Sequence, residues 1–295
     1  MNTRIKITVL VENRSARRNL AAEHGLSLWI QIGRKHLLFD TGASGVAVRR
    51  NSKTLGAPIQ KTHALILSHG HYDHTGGLAA LESRLPDVPI FAHPDCLLPR
   101  YSHRHSGEVR EIGMPLPSRA VLDRRKKWIR WVDGPRALFP GAGLTGKIQR
   151  RTSFEDTGGR FFLDSACRHP DPLWDDQALW IDTPRGLVLV FGCAHAGVVN
   201  AVEQVCRQLR VSRVFALVGG FHWGNASPGR LWKTGRALLR RGIQVLVPCH
   251  CSGEAAVHFF RRNFPFEIVS LTTGGEWNLP AAPCQPRQRR LPRFP

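Results

Sequence analysis

Leu65-Ile66-Leu67-Ser68-His69-Gly70-His71-Tyr72-Asp73-His74-Thr75-Gly76-Gly77 is the stretch that decides how the chain is read. An apolar run ends in a loop of small residues, and the loop carries four potential metal ligands within six positions. His69 and His71 are two residues apart, so in an extended segment they point the same way. Asp73 and His74 follow where the chain must turn, and they can reach a second point nearby. Imidazole nitrogens and a carboxylate suit zinc, iron or manganese. Two adjacent ions can share a bridging water and polarise a bound ester or phosphate. The competing reading is a loop that merely happens to be rich in histidine. The order H-x-H-x-D-H, set between an apolar run and Thr-Gly-Gly, weighs against it.

Working outward, residues 4–11 alternate Ile5, Ile7 and Val9 with polar partners, as a strand does. Residues 13–23 are polar and Arg-rich and read as a loop over the site. Residues 25–32 and 36–39 read as two strands joined by a turn at Gly33-Arg34-Lys35, the second delivering Asp40. A helix is expected over 45–55, and a buried strand over 64–67. Another helix is expected from Thr75-Gly76-Gly77 to Leu85, stopped by Pro86. The next strand, 88–92, ends at His93-Pro94.

Residues 95–151 break this alternation. They hold His103, His105 and the run Arg124-Arg125-Lys126-Lys127 among Gly and Pro, and read as an insertion at about 95–151 covering the site mouth. His93, His103 and His105 read as exposed loop histidines rather than ligands, and the basic run as a solvated face that can also attract phosphate. Asp171-Pro172-Leu173-Trp174-Asp175-Asp176-Gln177 leads into a strand over 178–182. Residues 186–191 are almost all apolar, as a central strand should be. Helices are expected over 198–209, 231–241 and 252–260, and strands over 214–218, 243–247 and 266–271. This alternation argues for an α/β layered fold. The strand-rich second half suits an αββα sandwich, with two sheets face to face and helices outside.

Five apolar strands stop at Asp40, His69, His195, His222 and His250. Ligands at the ends of packed strands are held rigidly, as a metal centre requires.

Composition bounds the rest. The chain has 295 residues, 42% of them hydrophobic, enough for a large core in one big domain or two small ones. No apolar run of about 18 residues suggests a membrane span. The start shows no signal-peptide core, so a cytoplasmic location is expected. Seven cysteines without scaffold-like spacing suit reduced thiols. Cys249 and Cys251 read as flanking the ligand His250. The net charge of +20 fits an Arg-rich solvated surface or an anionic small-molecule substrate. Nucleic-acid binding is weighed lower, because no recognition module or interleaving of aromatic and basic residues is present. Oligomeric state is left open. A single domain over 1–279 is expected, with 280–295 as a basic, disordered tail.

The H-x-H-x-D-H loop with Phe39-Asp40-Thr41-Gly42 upstream resembles the metallo-β-lactamase superfamily. Gly192-Cys193-Ala194-His195-Ala196-Gly197, Gly219-Gly220-Phe221-His222 and Pro248-Cys249-His250-Cys251 resemble the branch that includes a dihydropterin–ribofuranosylaminobenzene phosphate synthase. The resemblance implies the αββα fold and one or two divalent transition-metal ions, zinc first, with iron or manganese as alternatives. It places Asp40 behind the metal loop, where a ligating imidazole needs its other nitrogen anchored. The ligand set so implied is His69, His71 and His195 for one ion and Asp73, His74 and His250 for the other. His222 either completes one of these sets or contacts substrate. Many relatives carry an Asp in a G-D element where this chain has Gly192-Cys193, so Cys193 or a water bridges the ions.

The chemistry expected first is hydrolysis of a small phosphorylated or ester substrate by metal-activated water, with Asp73 orienting it. The alternative is a transferase joining a dihydropterin pyrophosphate to an arylamine ribose phosphate. A non-catalytic or nucleic-acid-binding module is the third reading, and the full ligand set argues against it.

Overall fold

The structure, a computed structural model, describes residues 4–104 and 106–279. His105 and the basic tail of the sequence reading lie outside the described residues.

The alternation in residues 5–11 divides that strand between two hydrophobic layers. Ile5, Ile7 and Val9 enter the core between two sheets, while Leu10 packs on the opposite face. The run at 186–191 is apolar throughout because both its faces are covered. Val188 and Val190 meet the facing sheet; Leu187, Leu189 and Phe191 pack with residues of the helices Val198–Leu209, Pro228–Arg240 and Glu254–Asn263. Each such fully buried side chain contributes roughly 1.5–3 kcal/mol.

Both sheets have seven strands. The first runs Glu276–Leu279, Ile5–Val11, Ser27–Ile32, Lys35–Phe39, Ala64–Ile66, Ile90–Ala92, Ile129–Trp131. The second runs Glu267–Ile268, Val245–Pro248, Val214–Gly219, Gly186–Phe191, Ala178–Thr183, Ala142–Leu144, Arg136–Phe139. Ala47 and Val48 of helix Val46–Thr54, with Val121 and Leu122 of helix Leu116–Arg124, cover the outside of the first sheet. The result is the expected αββα sandwich. Lys35–Phe39, Ala64–Ile66 and Ile90–Ala92 are parallel, as are Gly186–Phe191, Val214–Gly219 and Val245–Pro248. Loops leaving the carboxyl ends of parallel strands are where open α/β sheets place ligands.

Three local expectations change. The helix expected from Thr75 starts earlier, at Tyr72–Thr75, and resumes as Leu78–Leu81. Gly76 and Gly77 interrupt it because the chain packs against other backbone there. A Cβ on Gly77 would lie 2.0 Å from the Thr41 carbonyl oxygen. Residues 95–151 contribute to both sheets through Ile129–Trp131, Arg136–Phe139 and Ala142–Leu144, and their earlier part, Tyr101–His103 and Val109–Glu111, forms a small sheet together with Phe161–Phe162 from further along the chain. Finally, Glu276–Leu279 pairs antiparallel with Ile5–Val11, an edge the sequence reading omitted.

Candidate metal centre

Asp40 leaves its strand with φ 59°, a left-handed conformation unusual for a residue with a side chain. That turn places its carboxylate under the metal loop. Oδ1 accepts from the Ser68 amide at 2.7 Å. Oδ2 accepts from Ser68 Oγ and from His74 Nδ1, each at 2.7 Å. Since the Ser68 hydroxyl donates to Asp40, His69 Nδ1–H donates to Ser68 Oγ at 2.9 Å. The lone pair of His69 is therefore on Nε2.

The same logic holds for two further rings. His195 Nδ1 donates to the Thr157 carbonyl at 2.7 Å. His250 Nδ1 donates to Asn13 Oδ1 at 2.9 Å. Four imidazoles, His69, His74, His195 and His250, are thus fixed by Nδ1–H to an outer acceptor and turn Nε2 inward. Such anchoring sets the tautomer of a metal-ligating histidine.

The inward atoms converge. Donor atoms of His69, His71 and His195 all lie within 4.8 Å of one another, and His69 Nε2 is 2.9 Å from His71 Nδ1. Beside them, Asp73 Oδ2 lies 3.4 Å from His250 Nε2 and 3.7 Å from His74 Nε2. Cys193 Sγ is 3.2 Å from His74 Nε2. The eight ligand and support positions read from the sequence therefore meet at one edge of the sandwich.

His222 stands slightly apart. Its ring centroid is 4.5 Å from that of His195, but it belongs to none of the close donor groups among the described residues. Its backbone is left-handed, φ 47°, and Gly158 lies directly against its imidazole. His93 is buried rather than exposed, because its Nδ1 accepts from the Asp95 amide to cap a short turn.

Electrostatics favour a cation. Burial, then the neighbouring rings of His74, His71 and His195, hold His69 well below the usual imidazole range. Burial first, then Arg100 for His71 and His222 for His195, does the same there. Burial opposes ionisation of Asp73, but His74, His24 and His250 outweigh it and hold the carboxyl well below its usual range. Burial likewise lowers His74, yet Asp73 and Asp40 prevail and raise it to about 9. Three buried neutral imidazoles face a carboxylate that attracts positive charge. His195 Nε2 and His71 Nε2 have no hydrogen-bond partner, which is costly for buried nitrogen. An ion held by His69, His71 and His195 relieves this at His195, so the residues fit a divalent metal.

Several supporting residues escaped the sequence reading. Asp175 Oδ2 accepts from the Gly70 amide at 2.6 Å, and Arg100, fully buried, grips Asp175 with two contacts of 2.7 Å. His24 Nε2 approaches Asp73 Oδ2 at 3.2 Å from an exposed position. Phe161, from the small sheet, packs on His71 and His195, both at 5.3 Å between centroids. Above the imidazoles opens a cavity of about 610 Å³, whose walls include Tyr72, Phe161, Arg104, Arg110, Arg160 and Arg230.

An αββα sandwich with clustered imidazoles, a carboxylate and a thiol at one edge defines the class: a fold built around a candidate metal centre. Comparison with known proteins makes this specific. The sequence profile of the metallo-beta-lactamase superfamily matches residues 21–159. The 7,8-dihydropterin-6-methyl-4-(beta-D-ribofuranosyl)-aminobenzene-5'-phosphate synthase of Methanocaldococcus jannaschii is 32% identical, over 92% of this chain and 95% of that one. An uncharacterised protein of the same archaeon is 29% identical, over 85% and 92% of the two chains. A solved structure described as a metal-dependent hydrolase of the beta-lactamase superfamily superimposes with a TM-score of 0.78 at 28% identity, covering 94% of this chain and 99% of that one. The chain belongs to the metallo-β-lactamase superfamily. No helix among the described residues is long and apolar enough to cross a membrane.

Proposed function

We propose that this protein is a metal-dependent enzyme joining two small anionic molecules, a dihydropterin pyrophosphate and an arylamine ribose phosphate, with release of pyrophosphate. The observation that carries the reading is the cavity above the candidate centre, with its four arginines and two aromatic rings. Guanidinium groups match phosphate oxygens in charge and geometry. Tyr72 and Phe161 offer faces for planar rings. Similarity to the archaeal synthase along nearly its whole length supports the same reading and favours it over simple hydrolysis.

His69, His71 and His195 would hold one ion, and Asp73, His74 and His250 the other. Bound there, divalent ions supply Lewis acidity toward a departing anionic group. The chain's own groups do the rest. Arg230 is the best-placed phosphate contact: its side chain is 9% exposed, it pairs with Asp156, and its Nε has no partner. Phe161 shields the rings of His71 and His195 from water on one side. His222, next to His195 but outside the donor groups, faces the cavity and contacts substrate.

Hydrolysis of a phosphorylated or ester substrate is the second reading, supported by the superposition on a structure described as a metal-dependent hydrolase. One experiment separates them. Metal-loaded protein is incubated with both partners, and the products are resolved by mass spectrometry. The joined pterin–arylamine together with pyrophosphate is expected. Pterin alcohol without joined product would reject the transferase and leave the hydrolase.

A further inference from the structure

The second ion position has donors beyond the expected histidines and carboxylate. Cys193 Sγ and Cys251 Sγ lie 3.3 Å apart. Cys193 Sγ is also 3.2 Å from His74 Nε2. The donor atoms of Cys193, His250 and Cys251 all fall within 4.8 Å of one another. Two thiols thus meet two imidazoles of the second position from separate strand ends.

The fold makes room for this meeting. A Cβ on Gly220 would lie 2.7 Å from Cys251 Sγ and 3.4 Å from Cys193 Cα, so only a glycine lets Cys251 reach across to Cys193. Cys249, two residues earlier, goes the other way and packs in the core between the sheets. The Cys-His-Cys run therefore sends one thiol to the core and the other to the site. Besides each other and His74 Nε2, the two site thiols have only a weak contact, Cys251 Sγ at 3.9 Å from the Cys193 carbonyl oxygen.

We propose that Cys193 and Cys251 are metal ligands, making the second position a mixed thiolate–imidazole site that takes a borderline or soft divalent ion such as zinc or cobalt rather than magnesium or manganese. Sulfur ligands select such ions, whereas oxygen donors suit the hard ones. A pair of thiols that close can also close into a disulfide. The metal assignment is preferred because His74 and His250 share the cluster, and imidazoles add nothing to a disulfide. Each thiol that binds gives up its proton to solvent as the ion enters.

The inference rests on the metal-centre reading above, and its test distinguishes the two. The full chain is stripped of metal, reduced without oxygen, and titrated with cobalt(II) while absorption is followed. Visible bands report cobalt in any protein site. A near-ultraviolet thiolate-to-cobalt charge-transfer band reports sulfur ligation. The expected result is visible bands with the first equivalent or two, and the charge-transfer band growing in as the second position fills. Cys193→Ser and Cys251→Ser should each weaken that band, and Cys249→Ser should leave it unchanged. Visible bands without the charge-transfer band in the unsubstituted protein would overturn the thiolate assignment and leave the imidazole centre intact. No cobalt binding at all would overturn both. Since the unsubstituted protein alone decides the first point, a serine variant that fails to fold does not rescue the proposal. A band equally strong in the Cys193→Ser and Cys251→Ser variants would also overturn it.

Discussion

Asp175 and Asp176, neighbours in sequence, each hold a different loop of the candidate metal centre. Asp175 accepts from the Gly70 amide, between His69 and His71, and Asp176 accepts from the Ala196 amide, next to His195. One short segment before the strand Ala178–Thr183 therefore sets the distance between the H-x-H loop and the third imidazole. Gln177 adds to it, its Nε2 donating to the Leu67 carbonyl at 3.0 Å.

Asp175→Ala is expected to damage the fold as well as the centre. It removes the Gly70 contact and one of the two carboxylates paired with the fully buried Arg100 guanidinium, leaving only Asp171. Breaking one side of a buried ion pair costs about 3–5 kcal/mol. Thermal unfolding should show a fall on the order of 10 °C. Arg100→Met combined with Asp175→Leu and Asp171→Asn, which removes all three buried charges, should recover part of the loss. No recovery would mean that the Gly70 contact, not the weakened ion-pair cluster, dominates.

Asp40→Ala tests the anchoring chain. The variant frees His74 Nδ1 and the Ser68 hydroxyl, while the ligands themselves remain. Removing such a partner typically lowers metal affinity about 10- to 100-fold. His71→Ala, in contrast, deletes a donor of the first group. Equilibrium dialysis with elemental analysis should show one ion retained weakly or lost in His71→Ala, and both held with reduced affinity in Asp40→Ala. Unchanged metal content in His71→Ala would remove the basis for the proposed centre.

Much of this arrangement was legible in the sequence, for a physical reason. Strand periodicity and strand-end histidines are local signals, so Asp40, His69, His195, His222 and His250 could be placed at the ends of their strands before any contact was known. What could not be read is what depends on distant packing. His24 reaches Asp73 only because Leu26 docks by its amide on the Asp73 carbonyl. Arg100 has an unremarkable surface-type sequence context, yet it is buried because Asp171 and Asp175 fold over it. The pair Asp175-Asp176 does carry a signal, two acids just ahead of an apolar strand, but nothing local says which loops they hold. Strands at 129–144 were hidden by their Gly, Pro and Arg content.

Gly158→Ala should separate His222 from the metal ligands. Gly158 has φ 84°, and an added Cβ would lie 2.1 Å from His222 Nδ1. The imidazole must move, while the donor groups around His69 and Asp73 do not include it. Turnover of the joined or hydrolysed product should drop at least roughly tenfold, the scale of a misplaced contact group. Metal content should stay at the unsubstituted level. Since Gly158 follows Thr157, whose carbonyl anchors His195, loss of an ion in this variant would assign His222 to a ligand set only if His222→Ala loses it too.

Asp176 gives stability a pH dependence of its own. Burial raises its carboxyl from the usual carboxylate range to about 7, against the lowering effect of the Ala196 amide. Its Oδ1 has no hydrogen-bond partner. The folded state therefore holds this proton more tightly than the unfolded chain, where the carboxyl titrates near 3.8. The stabilisation is complete below the unfolded value and is lost as pH rises toward 7. Asp176→Asn keeps an oxygen for the Ala196 amide and removes the ionisation. Urea unfolding between pH 4.5 and 8 should show the unsubstituted protein losing stability relative to the variant as pH rises. The relative change should be on the order of 2–4 kcal/mol, at 1.36 kcal/mol per pH unit of displacement. Parallel curves for the two proteins would mean that Asp176 is already ionised at pH 4.5, and that the Ala196 amide outweighs its burial.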